Sequence, residues 1–165
     1  MSIIIQGPIL LNDNFTYTTA LLYKKYFSKA IIIVSTWEGM AVSQINNFRN
    51  SGIILLLNKM PDYNGFSNIN LQIVTTLAGI NYAKKINTKY ILKTRTDQRF
   101  YCKESIQYFK NLYNQKFLEY DKIIVSSLNT FYTRLFSISD MFQFGKTETI
   151  FKFWNINLID RIKEK

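Results

Sequence analysis

Short apolar runs alternate along the chain with longer segments in which apolar residues recur at helical spacing. The runs predict strands at residues 2–5, 30–35, 53–57, 90–93 and 123–127. The intervening segments predict helices at residues 12–27, 41–50, 70–86, 104–113 and 147–165. This alternation indicates right-handed crossovers, and therefore an α/β fold with a mostly parallel sheet and helices on both faces. Residues 59–68 are predicted to form a loop whose length suggests a functional role.

A length of 165 residues, without an internal repeat, a low-complexity segment or a linker, indicates one domain over residues 1–165. The first residues are expected to form a strand and not a secretory signal, because no positively charged segment precedes the apolar run. No apolar run approaches the roughly 18–20 residues that span a bilayer. The single Cys102 excludes an internal disulfide. We therefore expect a cytoplasmic protein whose contact with a membrane, if any, is peripheral.

Charge and composition limit the partners and the kinds of site that the chain can have. The formal net charge is +10 and the sequence pI is about 9.6, which favours nucleic acid, anionic lipid or a phosphorylated small molecule as a partner. The alternative is that most of the charge belongs to solvated lysines. The chain contains no histidine, which excludes imidazole metal ligands, Ser–His or Cys–His dyads and histidine acid–base catalysis.

Ligands of parallel sheets bind outside the carboxyl ends of the strands, so the residues that follow each strand are the first candidates. Gln6, Gly7 and Pro8 follow the first strand, where glycine permits a close backbone approach. Neither GxGxxG nor GxxxxGK[ST] occurs, which disfavours dinucleotide and P-loop sites. The second strand ends in a group suited to ribose or base contacts, Ser35, Thr36, Trp37 and Glu38. The alternative is that Trp37 caps the core and Glu38 is solvated.

The fourth strand leads into the most informative segment, LKTRTDQR. If the chain stays extended, alternation places four charged residues on one side of it, Lys93, Arg95, Asp97 and Arg99. Such a row suits a diphosphate, with cations on its oxygens and a divalent cation held by Asp97. The alternative is an edge strand with its polar face in water. Further along, Asp140 among aromatic residues could be a general base, a metal contact or a helix cap.

Five segments together resemble the WavE-type lipopolysaccharide-synthesis proteins, a family expected to consist of glycosyltransferases of GT-A-like, Rossmann-like fold. The segments are QGPI, IIIVSTWEG, NINLQI, LKTRTDQR and ISDMFQFG, and the resemblance runs from residue 2 to about residue 146. It implies transfer of a sugar from a nucleotide-sugar donor to a growing bacterial surface glycan, or a lipid-linked acceptor, on the cytoplasmic side of the membrane.

The resemblance also implies roles for individual residues. Near the nucleotide base and ribose it places Gln6, Gly7, Pro8, Ser35, Thr36 and Trp37. Facing the donor from the start of the long helix it places Asn68, Asn70 and Gln72. Asp140 would lie towards the acceptor. The triplet Arg95-Thr96-Asp97 would stand where GT-A enzymes carry DxD, so Mn²⁺ or Mg²⁺ at Asp97 is implied with Arg95 in place of the first carboxylate.

Two other functions compete with sugar transfer. One is a non-catalytic domain whose basic and aromatic surface binds nucleic acid or another anion, although no RNP, KH or helix-turn-helix motif occurs. The other is an inactive glycosyltransferase fragment, because the chain is short for a GT-A enzyme. The mixed aromatic and basic segment from Phe151 onward could lie on an anionic membrane, form a dimer or pack on the core.

Overall fold

A computed structural model of the chain describes residues 1–115, 121–131, 133 and 138–160. Six strands form one sheet in the order β3-β2-β1-β4-β6-β5. Their bounds are β1 Ser2–Gln6, β2 Ile31–Trp37, β3 Ile54–Asn58, β4 Tyr90–Arg95, β5 Ile123–Val125 and β6 Phe142–Lys146. The pairs β2–β3, β1–β2 and β1–β4 are parallel, whereas β4–β6 and β5–β6 are antiparallel.

Helices cover both faces of this sheet. Their bounds are α1 Phe15–Tyr26, α2 Val42–Asn50, α3 Ile69–Lys85, α4 Ser105–Asn114 and α5 Thr147–Trp154. Buried residues of α1, α2 and α4 pack in one cluster with one face of the sheet, and those of α3 and α5 pack in a second cluster with the other face. The predicted α/β fold, with a mostly parallel sheet and helices on both faces, is confirmed.

The two faces are packed by different side chains. Beneath α4, the ring centroids of Phe109 and Phe142 lie 4.9 Å apart, and Phe144 stacks on Tyr90 at 5.8 Å. On the opposite face, α3 lies so close to β1 that a Cβ on Gly79 would be 2.5 Å from Ile4 Cγ2. Aromatic rings therefore fill one layer, while a glycine permits close helix–sheet contact in the other.

The sequence prediction missed β6. Its aromatic residues Phe142 and Phe144 alternate with Gln143 and Gly145, and the aromatic side packs in the α4 layer. Because a strand and not a helix follows Asp140, the alternative of Asp140 as a helix cap is wrong. The antiparallel pairing of β6 with β4 gives the sheet its mixed character.

The last helix is shorter than the predicted 147–165. It ends at Trp154, and Asn155 leaves the helical region with φ −78° and ψ 68°. The side chain of Asn70 binds both backbone polar groups of Ile159, at 2.8 Å each, which holds the following segment in a non-helical path. The remainder of the prediction, 161–165, lies outside the described residues. Trp154 is buried against α3, so this ring packs on the core.

Strand β4 lies between β1 and β6, so the alternative of an edge strand with a solvated polar face is wrong. Within the described part of the chain, none of the helices has the length and apolar character to cross a bilayer.

Candidate active site

A cavity of about 500 Å³ opens at the carboxyl ends of β1, β2 and β4, beside the start of α3. Its lining includes Gln6, Gly7, Pro8, Trp37, Asn68, Gln72, Arg95 and Asp97, all predicted from the sequence. The lining also includes Leu10, Met60, Ser67, Leu71 and Thr96. Most of the surface that these residues expose to the cavity is apolar, and the ionised groups come from the end of β4. This combination is typical of sites for a ligand with an apolar ring and a charged group.

The turn after β1 is specified by Gly7. Its φ is +122°, a value that residues with a side chain rarely adopt, and a Cβ there would lie 2.9 Å from Thr96 Oγ1. The backbone N–H of Gly7 donates to the carbonyl of Ser35 at 3.1 Å, and that of Thr96 donates to the carbonyl of Gln6 at 3.0 Å. The three strand ends are thereby joined directly beneath the cavity.

The loop after β3 supplies another wall. Gly65 has φ +74°, and Ser67 and Asn68 also have positive φ, at 52° and 62°. This backbone turns the chain sharply into α3, where Leu71 and Gln72 face the cavity. A Cβ at Gly65 would lie 2.8 Å from Ile69 Cγ2, so the tight entry to the helix requires glycine at this position.

Arg95 joins two carboxylates. Its guanidinium donates to both oxygens of Asp97, with Nε–Oδ1 at 2.9 Å and Nη2–Oδ2 at 2.7 Å. A third N–H reaches Asp140 Oδ2 at 3.1 Å, although Asp140 lies 45 residues further along the chain. Arg95 is only partly exposed, so this network is partly shielded from water.

The network also fixes the charges. The hydrogen bonds from Arg95 lower the pKa of Asp97, and those same bonds raise the pKa of Arg95. Asp97 is therefore an anion and Arg95 a cation at neutral pH. A phosphate that approached Arg95 would compete with both carboxylates for its N–H groups.

Lys93 lies directly below this network and is fully buried. Its ammonium donates to the backbone carbonyl of Asp140 and lies 5.0 Å from the ring centroid of Trp154. Burial lowers the pKa of Lys93 to about 8. Trp154 in turn donates to Gln143 Oε1 at 2.6 Å. Lys93 thus does not line the cavity, and it holds the backbone of the residue whose carboxylate contacts Arg95.

A divalent cation at Asp97 does not fit this arrangement. Both oxygens of Asp97 and one of Asp140 already accept hydrogen bonds from a cation, which would repel a metal ion. No cluster of three Asp, Glu or Cys side chains that could ligate a metal occurs among the residues the structure describes. The carboxylate oxygens that could bind a metal ion are thus already paired with Arg95.

The predicted row of charges does not extend to Arg99. Strand β4 ends at Arg95, and a turn follows, so alternation no longer applies beyond that residue. Arg99 instead donates to Thr18 and Thr19 and to the carbonyl of Phe15, all on α1. The placement of Arg99 on the same side as Asp97 is therefore wrong, and the cations diverge.

Four other predicted residues do not line the cavity. Ser35 and Thr36 are buried in β2, where the Asn58 side chain donates to the hydroxyl of Ser35 and the carbonyl of Thr36. Asn70 is buried and holds the backbone carbonyls of Tyr63 and Ile159, so it fixes the loop beside the cavity. Glu38 is exposed beyond the end of β2.

The lining residues that the sequence reasoning missed are mostly apolar. Met60 and Ser67 lie in the predicted loop 59–68, whose length suggests a functional role. Leu71 lies in the NINLQI segment beside the predicted Gln72. Leu10 gave no comparable signal, because one leucine after a strand is equally consistent with core packing.

Comparison with known proteins agrees with this architecture. The family model described as WavE lipopolysaccharide synthesis matches residues 1–164. The fold is similar to a cytidylyltransferase from Leptospira borgpetersenii serovar Hardjo-bovis, with a TM-score of 0.56, 15% identity and coverage of 96% of this chain and 65% of that one. It is also similar to a protein from Desulfovibrio desulfuricans G20 to which nucleotide-diphospho-sugar transferase activity has been attributed, with a TM-score of 0.51, 10% identity and coverage of 90% and 64%. The chain thus corresponds to slightly less than two thirds of either protein. No curated protein matches it in sequence.

Proposed function

The chain belongs to the WavE lipopolysaccharide synthesis family, and we propose that it transfers a sugar from a nucleotide-sugar donor to a bacterial surface glycan. The observation that carries the proposal is the cavity of about 500 Å³ in which apolar side chains and Arg95 meet at the carboxyl ends of parallel strands. A base can lie against the apolar part, and a diphosphate can reach the guanidinium. The similarity in fold to a cytidylyltransferase and to a nucleotide-diphospho-sugar transferase is consistent with this assignment.

The reaction would break the bond between the anomeric carbon and the diphosphate oxygen. The electron pair leaves with the nucleoside diphosphate, the acceptor hydroxyl oxygen forms the new bond, and its proton passes to a base. In this proposal Arg95 would stabilise the negative charge that develops on the leaving diphosphate. An inverting reaction would require a carboxylate near the acceptor. Neither Asp140 nor Glu38 lines the cavity, and Asp140 is the better candidate because it contacts Arg95.

The arrangement of charges supports transfer without a metal at Asp97. The guanidinium of Arg95 provides a fixed positive charge and several donors for phosphate oxygens. Asp97 and Asp140 would then position this cation, and the diphosphate would take over some of its hydrogen bonds. The divalent cation expected from the DxD comparison is the competing proposal.

Nucleic-acid binding is less well supported by the same residues. A basic stripe would require the cations near β4 to lie side by side on the surface. Lys93 is buried and Arg99 is bound to α1, so only Arg95 of the three faces the cavity.

Calorimetric titration of the full chain with UDP, CDP, GDP, ADP and CTP, in EDTA and again with Mn²⁺, tests the proposal. We expect one nucleoside diphosphate to bind in EDTA. Arg95→Gln should weaken that binding by about 10- to 100-fold, because a charged hydrogen-bond donor to phosphate is lost. Arg49→Gln, the same change at an exposed position on α2, is the matched control. Failure of every nucleotide to bind, with or without Mn²⁺, would contradict the proposed function.

The Mn²⁺ titration separates the two accounts of the diphosphate site. We expect the affinity in Mn²⁺ to lie within a few-fold of that in EDTA. A rise of tenfold or more that disappears in Asp97→Asn would instead support a divalent cation at Asp97. Incubation with the sugar form of the nucleotide that binds, followed by detection of released nucleoside diphosphate, then tests turnover.

A further inference from the structure

We propose that Gln6 recognises a carbonyl oxygen of the nucleotide base, with its side-chain amide held in one orientation by Thr75. The inference rests on the proposed nucleotide-sugar function and specifies how the base is selected. It concerns the apolar part of the cavity, away from the charged pair Arg95 and Asp97.

Gln6 is a polar residue at a buried position of the sheet, where an apolar residue would also fit. It is the last residue of β1, it is 4% exposed, and it alternates with Ile4 on the face covered by α3. Burial of a carboxamide costs free energy unless its polar atoms find partners. A buried glutamine that reaches an open cavity is therefore a candidate for ligand contact.

One end of the carboxamide is already bound. Thr75 Oγ1 lies 2.8 Å from Gln6 Oε1 and donates to it, because the amide oxygen can only accept. Thr75 is fully buried on α3, one helical turn beyond the cavity-lining Leu71. Its hydroxyl also lies 2.8 Å from the carbonyl of Leu71, so its single hydrogen is shared between two acceptors, Gln6 Oε1 and the Leu71 carbonyl.

The other end of the carboxamide faces the ligand space. In the described part of the chain, the amide nitrogen of Gln6 makes no hydrogen bond. The polar side-chain atoms found there to be both sealed from solvent and without a partner are the hydroxyls of Thr76 and Thr149. The Gln6 nitrogen is not sealed in this way, and Gln6 lines the cavity. Its two N–H groups are thus available to a ligand.

The backbone of Gln6 is held on both sides by neighbouring strands. Its residues in register are Ser35 on β2 and Arg95 on β4, and its carbonyl accepts from Thr96 N at 3.0 Å. The backbone of Gln6 is therefore fixed, and the contact with Thr75 holds the oxygen end of its side chain. Around a flat ring bound there, the apolar lining residues supply contacts on its faces, and Gln6 reaches an acceptor at its edge.

This geometry would distinguish nucleotide bases by the hydrogen-bond acceptors that they carry. Uracil, cytosine and guanine each carry an exocyclic carbonyl oxygen, whereas adenine carries none. A site with a fixed donor rejects a ligand that lacks the matching acceptor, because the donor is then left unpaired. We expect the wild-type chain to bind at least one carbonyl-bearing nucleoside diphosphate about tenfold or more tightly than ADP.

Titration of wild type, Gln6→Met, Gln6→Glu and Thr75→Val with UDP, CDP, GDP and ADP tests the inference. Gln6→Met should weaken the preferred nucleotide about tenfold and change ADP by less than about twofold. Gln6→Glu should weaken it further, since a carboxylate would face the carbonyl. Thr75→Val, which frees the amide to rotate, should give a smaller loss of the same selectivity. Gln107→Met, on the exposed side of α4, is the matched control, and melting temperatures identify any variant that is misfolded.

Three results would overturn the inference. Wild-type affinity for ADP equal to that for the other nucleotides would show that no carbonyl is read. Gln6→Glu binding as tightly as wild type would show that the ligand donates to this residue. An equal loss for all four nucleotides in Gln6→Met would place Gln6 at the diphosphate. Each of these outcomes leaves nucleotide binding by the wild type intact, so none of them would be confused with failure of the proposed function.

Discussion

The parallel and antiparallel halves of the sheet contribute differently to the molecule. In the parallel half, β3, β2, β1 and β4 end at a common edge, and residues that follow three of these strands line the cavity. In the antiparallel half, β6 runs antiparallel to both of its neighbours, β4 and β5, and packs aromatic rings beneath α4. Strand β4 belongs to both halves. The ligand-facing surface therefore comes from the parallel half, while its support comes from the antiparallel one.

The two halves meet at the Arg95 network. Arg95 and Asp97 follow β4, whereas Asp140 precedes β6 and reaches the same guanidinium because β6 returns beside β4. Lys93 reinforces this junction from inside by binding the backbone of Asp140. From this difference we predict that substitutions in the antiparallel half mainly lower stability, whereas substitutions at the cavity mainly alter ligand binding.

The largest expected loss of stability comes from removing a ring in the antiparallel half. Phe144 is fully buried, stacks on Tyr90 and contacts Phe109, so Phe144→Ala leaves a large void. We expect the free energy of unfolding to fall by about 3–5 kcal/mol. Urea denaturation followed by circular dichroism measures it. Phe66→Ala, at a ring that is 83% exposed, should change stability by less than about 0.5 kcal/mol. Similar losses in the two variants would contradict the described packing.

A smaller loss is expected from a single methyl group in the parallel half. Gly79→Ala places a Cβ 2.5 Å from Ile4 Cγ2, so α3 must move away from β1. Overpacking of this kind costs about 1–3 kcal/mol, partly offset by about 1 kcal/mol from the better helix propensity of alanine. Urea denaturation again gives the value, and Asn81→Ala on the exposed side of α3 is the control.

A double variant shows whether the contact with Ile4 is the cause. Ile4→Ala removes the atom that Gly79→Ala would meet, so the two changes together should cost less than the sum of the single losses. Strict additivity would mean that the helix accommodates the methyl group by another route. It would then remove the proposed distinction between a close-contact layer and an aromatic layer.

The parallel half was largely predictable because its central strands are buried on both faces and form continuous apolar runs. Strand β6 was not, because Phe142 and Phe144 alternate with Gln143 and Gly145 in a segment short enough to fit several structures. The helix at 147–165 failed because a tertiary contact, Asn70 with Ile159, decides the path of the chain beyond Trp154.

For the site, sequence reasoning located the strand ends but not the directions of their side chains. Eight of the predicted residues line the cavity, whereas Lys93 and Arg99, close to Arg95 in sequence, point elsewhere. The contact between Arg95 and Asp140 spans 45 residues and depends on β6, so no local pattern could have indicated it.

The smallest expected effect concerns the buried cation between the two halves. Burial lowers the pKa of Lys93 to about 8 from its ordinary value of 10.5. In the unfolded chain the group keeps its proton up to about pH 10.5, whereas the folded protein releases it from about pH 8. Between these values the unfolded state binds more protons, so this lysine contributes a stability that rises with pH.

Lys93→Met removes the titrating group and keeps much of its volume, so it isolates this contribution. We expect the difference in unfolding free energy, wild type minus variant, to rise on the order of 1 kcal/mol between pH 8.5 and 9.5. Other titrating groups are common to both proteins and cancel in the difference. Urea denaturation at pH 7.5, 8.5 and 9.5 measures it, and Lys152→Met, exposed on α5, should leave the pH profile parallel to wild type. A constant difference for Lys93→Met across this range would mean that folding does not lower the pKa of Lys93, and it would contradict the stability contribution assigned to this group.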